Sequence, residues 1–313
     1  MTAPNDSLIS ELKVARERFL ELVSEIRPDL HRYCARMVGS VADGEDIVQD
    51  TLARAYYELS GLRELPALRA WLFRIAHNRA LDHLRRPGRE GNERVEDLGD
   101  TLVDDAANPD AEQAREEAIQ TAVSHFLELV PLQRSCVILK DVLGYSLEEM
   151  AALLEQSVPA IKSALHRGRV RLRELGAQVE AAVASPKHFS PALERYAALF
   201  NARDWDAVRA MLVDDVRLEL VSVTRRSGRD DVGVYFTNYS RMQGWRLVPG
   251  WLDGREVLAV FTASGGVQPR YFVELTFRGD GVAAIRDFYH VPYIGRDARI
   301  DVMERRGPQT PDG

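Results

Sequence analysis

Residues 146–174 read SLEEMAALLEQSVPAIKSALHRGRVRLRE, and this stretch decides the architecture of the middle of the chain. Ser146 and Glu149 open an apolar-periodic run at capping-box spacing, where hydroxyl and carboxylate reciprocally satisfy free amides of a first helical turn. The helix they start is short and ends at a turn about Glu155–Gln156. Ser157 caps a second helix, which tolerates Pro159 in its first turn because that position needs no amide donor. Val158, Ile161, Leu165, Gly168 and Leu172 recur at helical spacing and form an inward face. Lys162, Ser163, His166, Arg167, Arg169, Arg171 and Arg173 are expected outward, with no acid before Glu174. A basic face alone also fits a solvated surface. Directly after a short capped helix and a tight turn, it is the pattern of a helix-turn-helix whose second helix enters a DNA major groove.

Upstream, residues 8–86 also read as helices. In DGEDIVQDTLARAYYEL (43–59), Asp43 is the expected N-cap and Asp46 sits near the positive end of the helix dipole. Ile47, Thr51, Leu52, Ala55 and Leu59 form the apolar face, with Glu45, Asp46, Gln49 and Asp50 opposite. From composition alone the plainer reading is a solvated acidic first turn. Pro66 then precedes LRAWLFRIAHNRALDHLRR (68–86), which buries Leu68, Trp71, Leu72 and Ile75. Arg74, Asn78, Asp82 and Arg85 share one stripe, with Arg86 beside it. Asn and Arg side chains reach base edges and phosphates, although a surface stripe with an internal Asp82–Arg85/Arg86 pair has the same periodicity.

The stretches 43–59 and 68–86 resemble region 2 of the extracytoplasmic-function RNA polymerase sigma factors of the sigma-70 family. Residues 129–175, LVPLQRSCVILKDVLGYSLEEMAALLEQSVPAIKSALHRGRVRLREL, resemble region 4 of the same family. The resemblance covers residues 1–185 and implies a promoter-directed initiation factor. It implies that Asp46, Gln49 and Asp50 dock on the β′ clamp helices of the polymerase core, and that the region 4 helices meet the β flap. Arg74, Asn78, Asp82, Arg85 and Arg86 become candidates for −10 DNA, with the loop Ser60–Leu65 accepting a flipped-out base. Lys162, Ser163, His166, Arg167 and Arg169 become candidates for the −35 element. Ala164 stands where the family usually has Arg, so one −35 contact is expected to be missing. His166 reads as a phosphate or polymerase contact rather than a metal ligand.

The chain is 313 residues with a net charge of −7, a length that suggests two or three compact units. The charge is not spread evenly. Residues 87–113, PGREGNERVEDLGDTLVDDAANPDAEQ, hold nine acids against Arg89 and Arg94, so this stretch carries the whole excess. Its composition cannot bury enough apolar surface to offset ordering, so a flexible acidic linker is expected. By resemblance it threads toward the polymerase active-site cleft, where negative charge mimics nucleic acid; a solvated tether fits the same residues. Cys34 and Cys136 lack metal-ligand spacing and suit a reducing cytosol. The N-terminus lacks a signal-peptide pattern, and the apolar run Val257–Phe261 is too short to cross a bilayer. A cytoplasmic protein with no membrane partner is expected.

Past the junction Ala184-Ser185-Pro186-Lys187 the pattern changes. Two helices broken at Asn201–Asp204, the second capped by Asp204, bury Leu193, Tyr196, Ala197 and Phe200. Alternating β-rich runs follow at 216–223, 255–262, 269–278 and 282–291, with a helix after the first. Residues 188–295 resemble the SnoaL-like α+β fold, a curved sheet wrapped by helices into a cone. The fold class expected is therefore multidomain: two all-α domains, 8–86 and 114–184, plus this α+β domain, with a disordered tail over 306–313. Cyclases, isomerases and binding modules share the SnoaL-like fold, so it does not settle function. Tyr235, Tyr239, Trp251, Asp287 and His290 are the candidate pocket for a small-molecule ligand, with Trp245 and Tyr289 beside them. An enzyme would aim a carboxylate or His base at an apolar cavity. If 287–291 is one strand, Asp287 and His290 fall on opposite faces, and aromatics at strand spacing more often fill a core than line a ligand site. Two readings stand. The first is a non-enzymatic sigma factor, without cofactor or metal, whose tethered C-terminal domain acts in cis. The alternative is a bifunctional protein whose isomerase- or cyclase-type domain is targeted by a DNA-binding module.

Overall fold

A computed structural model resolves the chain into two compact units, Met1–Val183 and Ala184–Gly313. The residues described are 4–58, 68–86, 114–115, 118–119, 121–181, 188–241, 244–262, 268–296 and 298–302. The acidic stretch 87–113, the loop Ser60–Leu65 and the tail 306–313 lie outside them.

In the first unit, α1 (Pro4–Val38), α2 (Val41–Glu58) and α3 (Leu68–Leu84) precede a 3₁₀ turn, Val123–Glu128. Next come α4 (Pro131–Val137), which runs into a π turn at Ile138–Val142, then α5 (Leu147–Leu154) and α6 (Val158–Ala181). The start of α2 corrects the expected cap. Gly39 takes φ +70° and ends α1 so abruptly that Ser40 already occupies the capping position. The Ser40 Oγ accepts the Asp43 amide at 3.2 Å, and Asp43 lies buried inside the helix. A Cβ on Gly44 would lie 2.6 Å from the Ala35 backbone, so α1 and α2 meet at a distance only glycine permits.

The two helical segments expected as separate domains share one apolar core in this unit. Leu30, Tyr33 and Met37 of α1, Leu72 and Phe73 of α3, and Phe126, Ile138 and Leu165 from the later elements belong to one buried cluster. Phe73 meets Tyr33 and Tyr145 edge-on, at centroid distances of 5.6 and 5.5 Å. Arg134 of α4 is 4% exposed and donates to the carbonyls of Met37, Leu127 (3.1 Å) and Leu129 (2.7 Å). Burial lowers its pKa to about 10, so it stays charged at neutral pH while holding the end of α1 against the 3₁₀ turn.

The second unit opens with α7 (Pro191–Asn201) and α8 (Trp205–Ala210), the latter capped by Asp204 through the Ala207 amide at 3.1 Å. Strands β1 (Leu212–Leu220) and β2 (Thr224–Ser227) lead to α9 (Arg229–Ser240). After α9 come β3 (Trp245–Leu252), β4 (Arg255–Thr262), β5 (Tyr271–Arg278), β6 (Gly281–Asp287), a 3₁₀ turn at Pro292–Arg296, and β7 (Asp301–Val302). The sheet order is β2-β1-β6-β5-β4-β3-β7, with β1 and β6 parallel and the other pairs antiparallel. The run expected over 216–223 starts earlier and stops at Leu220, because the chain turns with Ser222 at φ +68°. The run over 282–291 stops at Asp287. Strand β3 carries Pro249 and Gly250, which weaken the strand signal. It tolerates the proline because only β4 pairs along its full length, while β7 covers Gly250 and Trp251. Among the described residues no helix is long and apolar enough to cross a membrane.

Candidate nucleic-acid interface and a buried acid in the second unit

Helices α2 and α3 leave between them an open cavity of about 350 Å³ lined by Arg54, Glu58, Trp71, Arg74, Ile75, Asn78, Arg79 and Asp82. The α3 repeat puts Trp71 and Ile75 on its floor and Arg74, Asn78 and Asp82 on its rim. An apolar floor with amide and guanidinium groups around it can stack a splayed base and contact its edges. Arg85 and Arg86 are exposed beyond the end of α3, with Arg85 3.8 Å from Asp82, and they do not line the cavity. The sequence reading puts Trp71 and Ile75 in the core only, and three further lining residues escaped it. Arg79 neighbours Asn78 on the flank of the stripe, and its position was readable there. Arg54 and Glu58, paired at 2.8 Å, come from a different helix, so no local period exposes them.

The acidic face of α2 is narrower than expected. Glu45 is fully buried and paired with Arg27 at 2.5 Å. Asp46 and Gln49 are half-buried and Asp50 is exposed, which leaves these three as the surface acid-amide patch.

The helix-turn-helix forms as its caps suggest. Glu149 accepts the Ser146 amide at 2.8 Å, and Ser146 Oγ accepts the Glu149 amide at 3.2 Å. Those bonds hold the Glu149 carboxyl below the usual carboxylate range. Glu155 ends α5 in the left-handed region at φ 55°, and Ser157 caps α6 through the Ala160 amide at 3.3 Å. His166 is exposed, while Lys162, Ser163 and Arg167 are half-buried, with Arg167 donating to Ser163 Oγ at 2.6 Å. Ala164 is fully buried, so that position offers no outward contact in this packing.

Arg169 departs from its expected outward place. It is 7% exposed and donates to both oxygens of buried Asp141, at 3.0 and 2.6 Å. The reason is helical phase: Arg169 lies one turn beyond Leu165 and one turn before Leu172, both on the inward face. Gly168 beside it packs tightly, since a Cβ there would stand 2.7 Å from Val137 Cγ2.

In the second unit the sheet and α9 bring part of the expected pocket together. Asp287, at the end of β6, is 1% exposed. Its Oδ2 accepts Tyr235 at 2.6 Å and Tyr239 at 2.8 Å, and its Oδ1 accepts the Tyr289 amide at 2.8 Å. Tyr239 and Tyr271 hydroxyls lie 2.7 Å apart. With the Tyr239 proton committed to the carboxylate, Tyr271 donates to Tyr239. Burial raises the Asp287 pKa, while Tyr235, Tyr239 and the Tyr289 amide pull it back. Burial and then the Asp287 charge push Tyr235 and Tyr239 well above the usual phenol range. Trp245, Tyr239, Tyr271 and Tyr289 contact one another at ring-centroid distances of 5.4–6.0 Å. Trp251 is elsewhere, stacked on Phe189 at 5.6 Å, and His290 is exposed. Tyr271, which the sequence offered only as a strand residue, joins through its hydroxyl bond to Tyr239, two residues along β5 from the Val273–Asp287 pair. Among the described residues no cluster of His, Cys, Asp and Glu has the arrangement of a metal site.

Comparison with known proteins matches three families along the chain. Residues 22–90 match Sigma-70 region 2, residues 126–172 match Sigma-70, region 4, and residues 193–304 match the SnoaL-like domain. The ECF RNA polymerase sigma factor SigG of Mycobacterium tuberculosis is 32% identical over 222 residues, 63% of this chain and 60% of SigG, so the chain spans less than two thirds of that relative. The solved sigma factor RpoE of Bartonella quintana, in complex with the anti-sigma factor NepR, is 27% identical with a TM-score of 0.38; the match covers 51% of this chain and 98% of that one. RNA polymerase sigma factor CarQ of Myxococcus xanthus is 34% identical over 179 residues, 54% of this chain and 95% of CarQ. With both sigma-70 regions matched in order across a relative covered almost end to end, the chain belongs to the extracytoplasmic-function RNA polymerase sigma factors.

Proposed function

We propose that this protein directs bacterial RNA polymerase core to promoters for transcription initiation, working in the cytoplasm, and that its second unit modulates that activity in cis. The observation that carries this is the α2–α3 cavity, an apolar floor rimmed by Arg74, Asn78, Arg79 and Asp82. It occurs in the same chain as a capped helix-turn-helix presenting Lys162, Ser163, His166 and Arg167. The cavity takes an unstacked −10 base, with Arg85 and Arg86 on nearby phosphates. The α6 residues meet the −35 groove, while Arg169 supports them from inside. Asp46, Gln49 and Asp50 dock on the β′ clamp helices, and the region 4 helices meet the β flap.

The second unit serves as a regulatory module and not as an enzyme. Asp287 has the raised pKa of a catalytic acid, but it is 1% exposed, two tyrosine hydroxyls and an amide already hydrogen-bond its oxygens, and the surrounding rings rest on one another. The test is in-vitro transcription with purified core polymerase, using the full chain and a truncation at residue 185. Promoter-specific transcripts from either are expected. Their absence from both refutes the proposal, and turnover of an isomerase or cyclase substrate lost in Asp287→Asn would favour the enzymatic alternative.

A further inference from the structure

We infer that Val170 is a base-reading residue of α6, selecting a thymine in the −35 element through the C5-methyl group of that base. The inference rests on the −35 role proposed for α6 above and adds a residue that the basic pattern passes over. From Lys162 to Glu174 the buried positions are Ala164, Leu165, Gly168, Arg169 and Leu172. The remaining side chains in that span point outward, and all are polar or charged except Val170, which is 38% exposed. Singly exposed apolar side chains are ordinary on a protein surface. This one is set apart by its place. His166 stands four residues before it, Arg167 three before and Arg173 three after, so helical geometry puts Val170 on the midline of the basic face. Helix stability does not account for a valine there, since a β-branched side chain is a poorer helix former than Ala, Lys or Arg.

The chemistry of the major groove fixes what such a side chain can read. Guanine, adenine and cytosine offer nitrogen and oxygen groups that hold water, and an isopropyl group laid over them displaces that water without replacing its hydrogen bonds. Thymine adds a methyl group, and contact between it and valine takes two apolar surfaces out of water. Val170 therefore discriminates twice, by a gain at the methyl and a loss at the polar edges. Reach permits the contact. From Ser163 to Val170 the helix axis advances about 10 Å, which matches about three base-pair steps. The adjacent arginines are otherwise engaged: Arg169 is turned inward on Asp141, and Arg171 is held by Glu174 at 3.2 Å and Glu128 at 3.7 Å. Val170 is left to meet base edges on the C-terminal half of this face.

The test uses holoenzyme, the full chain on core polymerase, with a library of promoter duplexes randomised over the −35 region. Native holoenzyme is expected to select a thymine at a position where Val170→Ala no longer does. Exchanging that thymine for deoxyuridine removes the methyl and nothing else. It should weaken native binding about fourfold, the worth of one buried methyl-sized group. Val170→Ala should lose about as much on the thymine duplex and bind the thymine and deoxyuridine duplexes equally, a coupling that a double-mutant cycle reads directly. Val170→Ile should keep the discrimination. Equal sensitivity to deoxyuridine in native and Val170→Ala holoenzymes, or none at any selected thymine, overturns the inference alone. So does a Val170→Ala that weakens every duplex alike, which marks a packing or polymerase contact. A native holoenzyme that selects no −35 sequence sinks the −35 reading and this inference with it.

Discussion

Removing the Asp141 carboxylate is the sharpest test of the inward placement of Arg169. Both side chains are almost out of water, 7% exposed for Arg169 and 3% for Asp141, and their two hydrogen bonds measure 3.0 and 2.6 Å. Asp141→Ala strands a guanidinium where little solvent can replace its partner, a loss of about 3–5 kcal/mol. Replacing both groups by apolar ones of similar volume, Asp141→Leu with Arg169→Met, removes the charge together with its partner and is expected to return to within about 1 kcal/mol of the native chain. The chain has two compact units, so one global unfolding curve would mix transitions. Hydrogen exchange of the α6 amides reports the local opening energy instead. A second arm uses DNA. Arg167→Ala should flatten the salt dependence of promoter binding by about one unit of slope, while Arg169→Met should leave it unchanged. If Arg169→Met flattens the slope as Arg167→Ala does and leaves α6 exchange untouched, Arg169 is a DNA contact and the reasoning fails.

Other expectations follow from the same geometry. Burial lowers His77 to about 4 from an ordinary 6.5, so the packed unit favours the neutral ring. Its stability is complete above pH 6.5 and falls as pH drops toward 4, by up to about 3 kcal/mol; His77→Gln should flatten the pH profile between those limits, read as protection factors of the α3 amides at stepped pH. Asp287→Ala leaves the Tyr235 and Tyr239 hydroxyls and the Tyr289 amide without their acceptor and should destabilise the second unit by about 2–5 kcal/mol, with first-unit exchange rates unmoved. Ser146→Ala removes half of the capping box and should cost about 1 kcal/mol in α5 exchange protection. Asn78→Ala and Arg79→Ala on the cavity rim should reduce promoter opening while leaving core binding intact, measured by permanganate footprinting against co-migration.

Much of this protein was readable one element at a time. The caps at Ser146, Ser157 and Asp204, the short α5, the basic α6 and the run 255–262 all follow from interactions within about one helical turn or from strand alternation, which a linear sequence displays directly. The stripe Arg74, Asn78 and Asp82 was legible for the same reason. Errors arose where a longer-range partner outweighed local pattern. Arg169 reads as one more outward base until Asp141, far away in sequence, receives it, and Glu45 reads as surface acid until Arg27 crosses from α1.

The order of modules and the places of the capped helix-turn-helix and the α3 stripe were thus determined by sequence, because periodicity and caps are local properties of the chain; membership in the sigma family rested on the resemblance of whole stretches. Tertiary structure decided what lies between elements. It set Arg54 and Glu58 across from α3 to make a cavity, Tyr271 of β5 against Tyr239 of α9, and Glu155 on Arg74. Each of those pairings joins side chains that no helical or strand period relates, so only packing could bring them together.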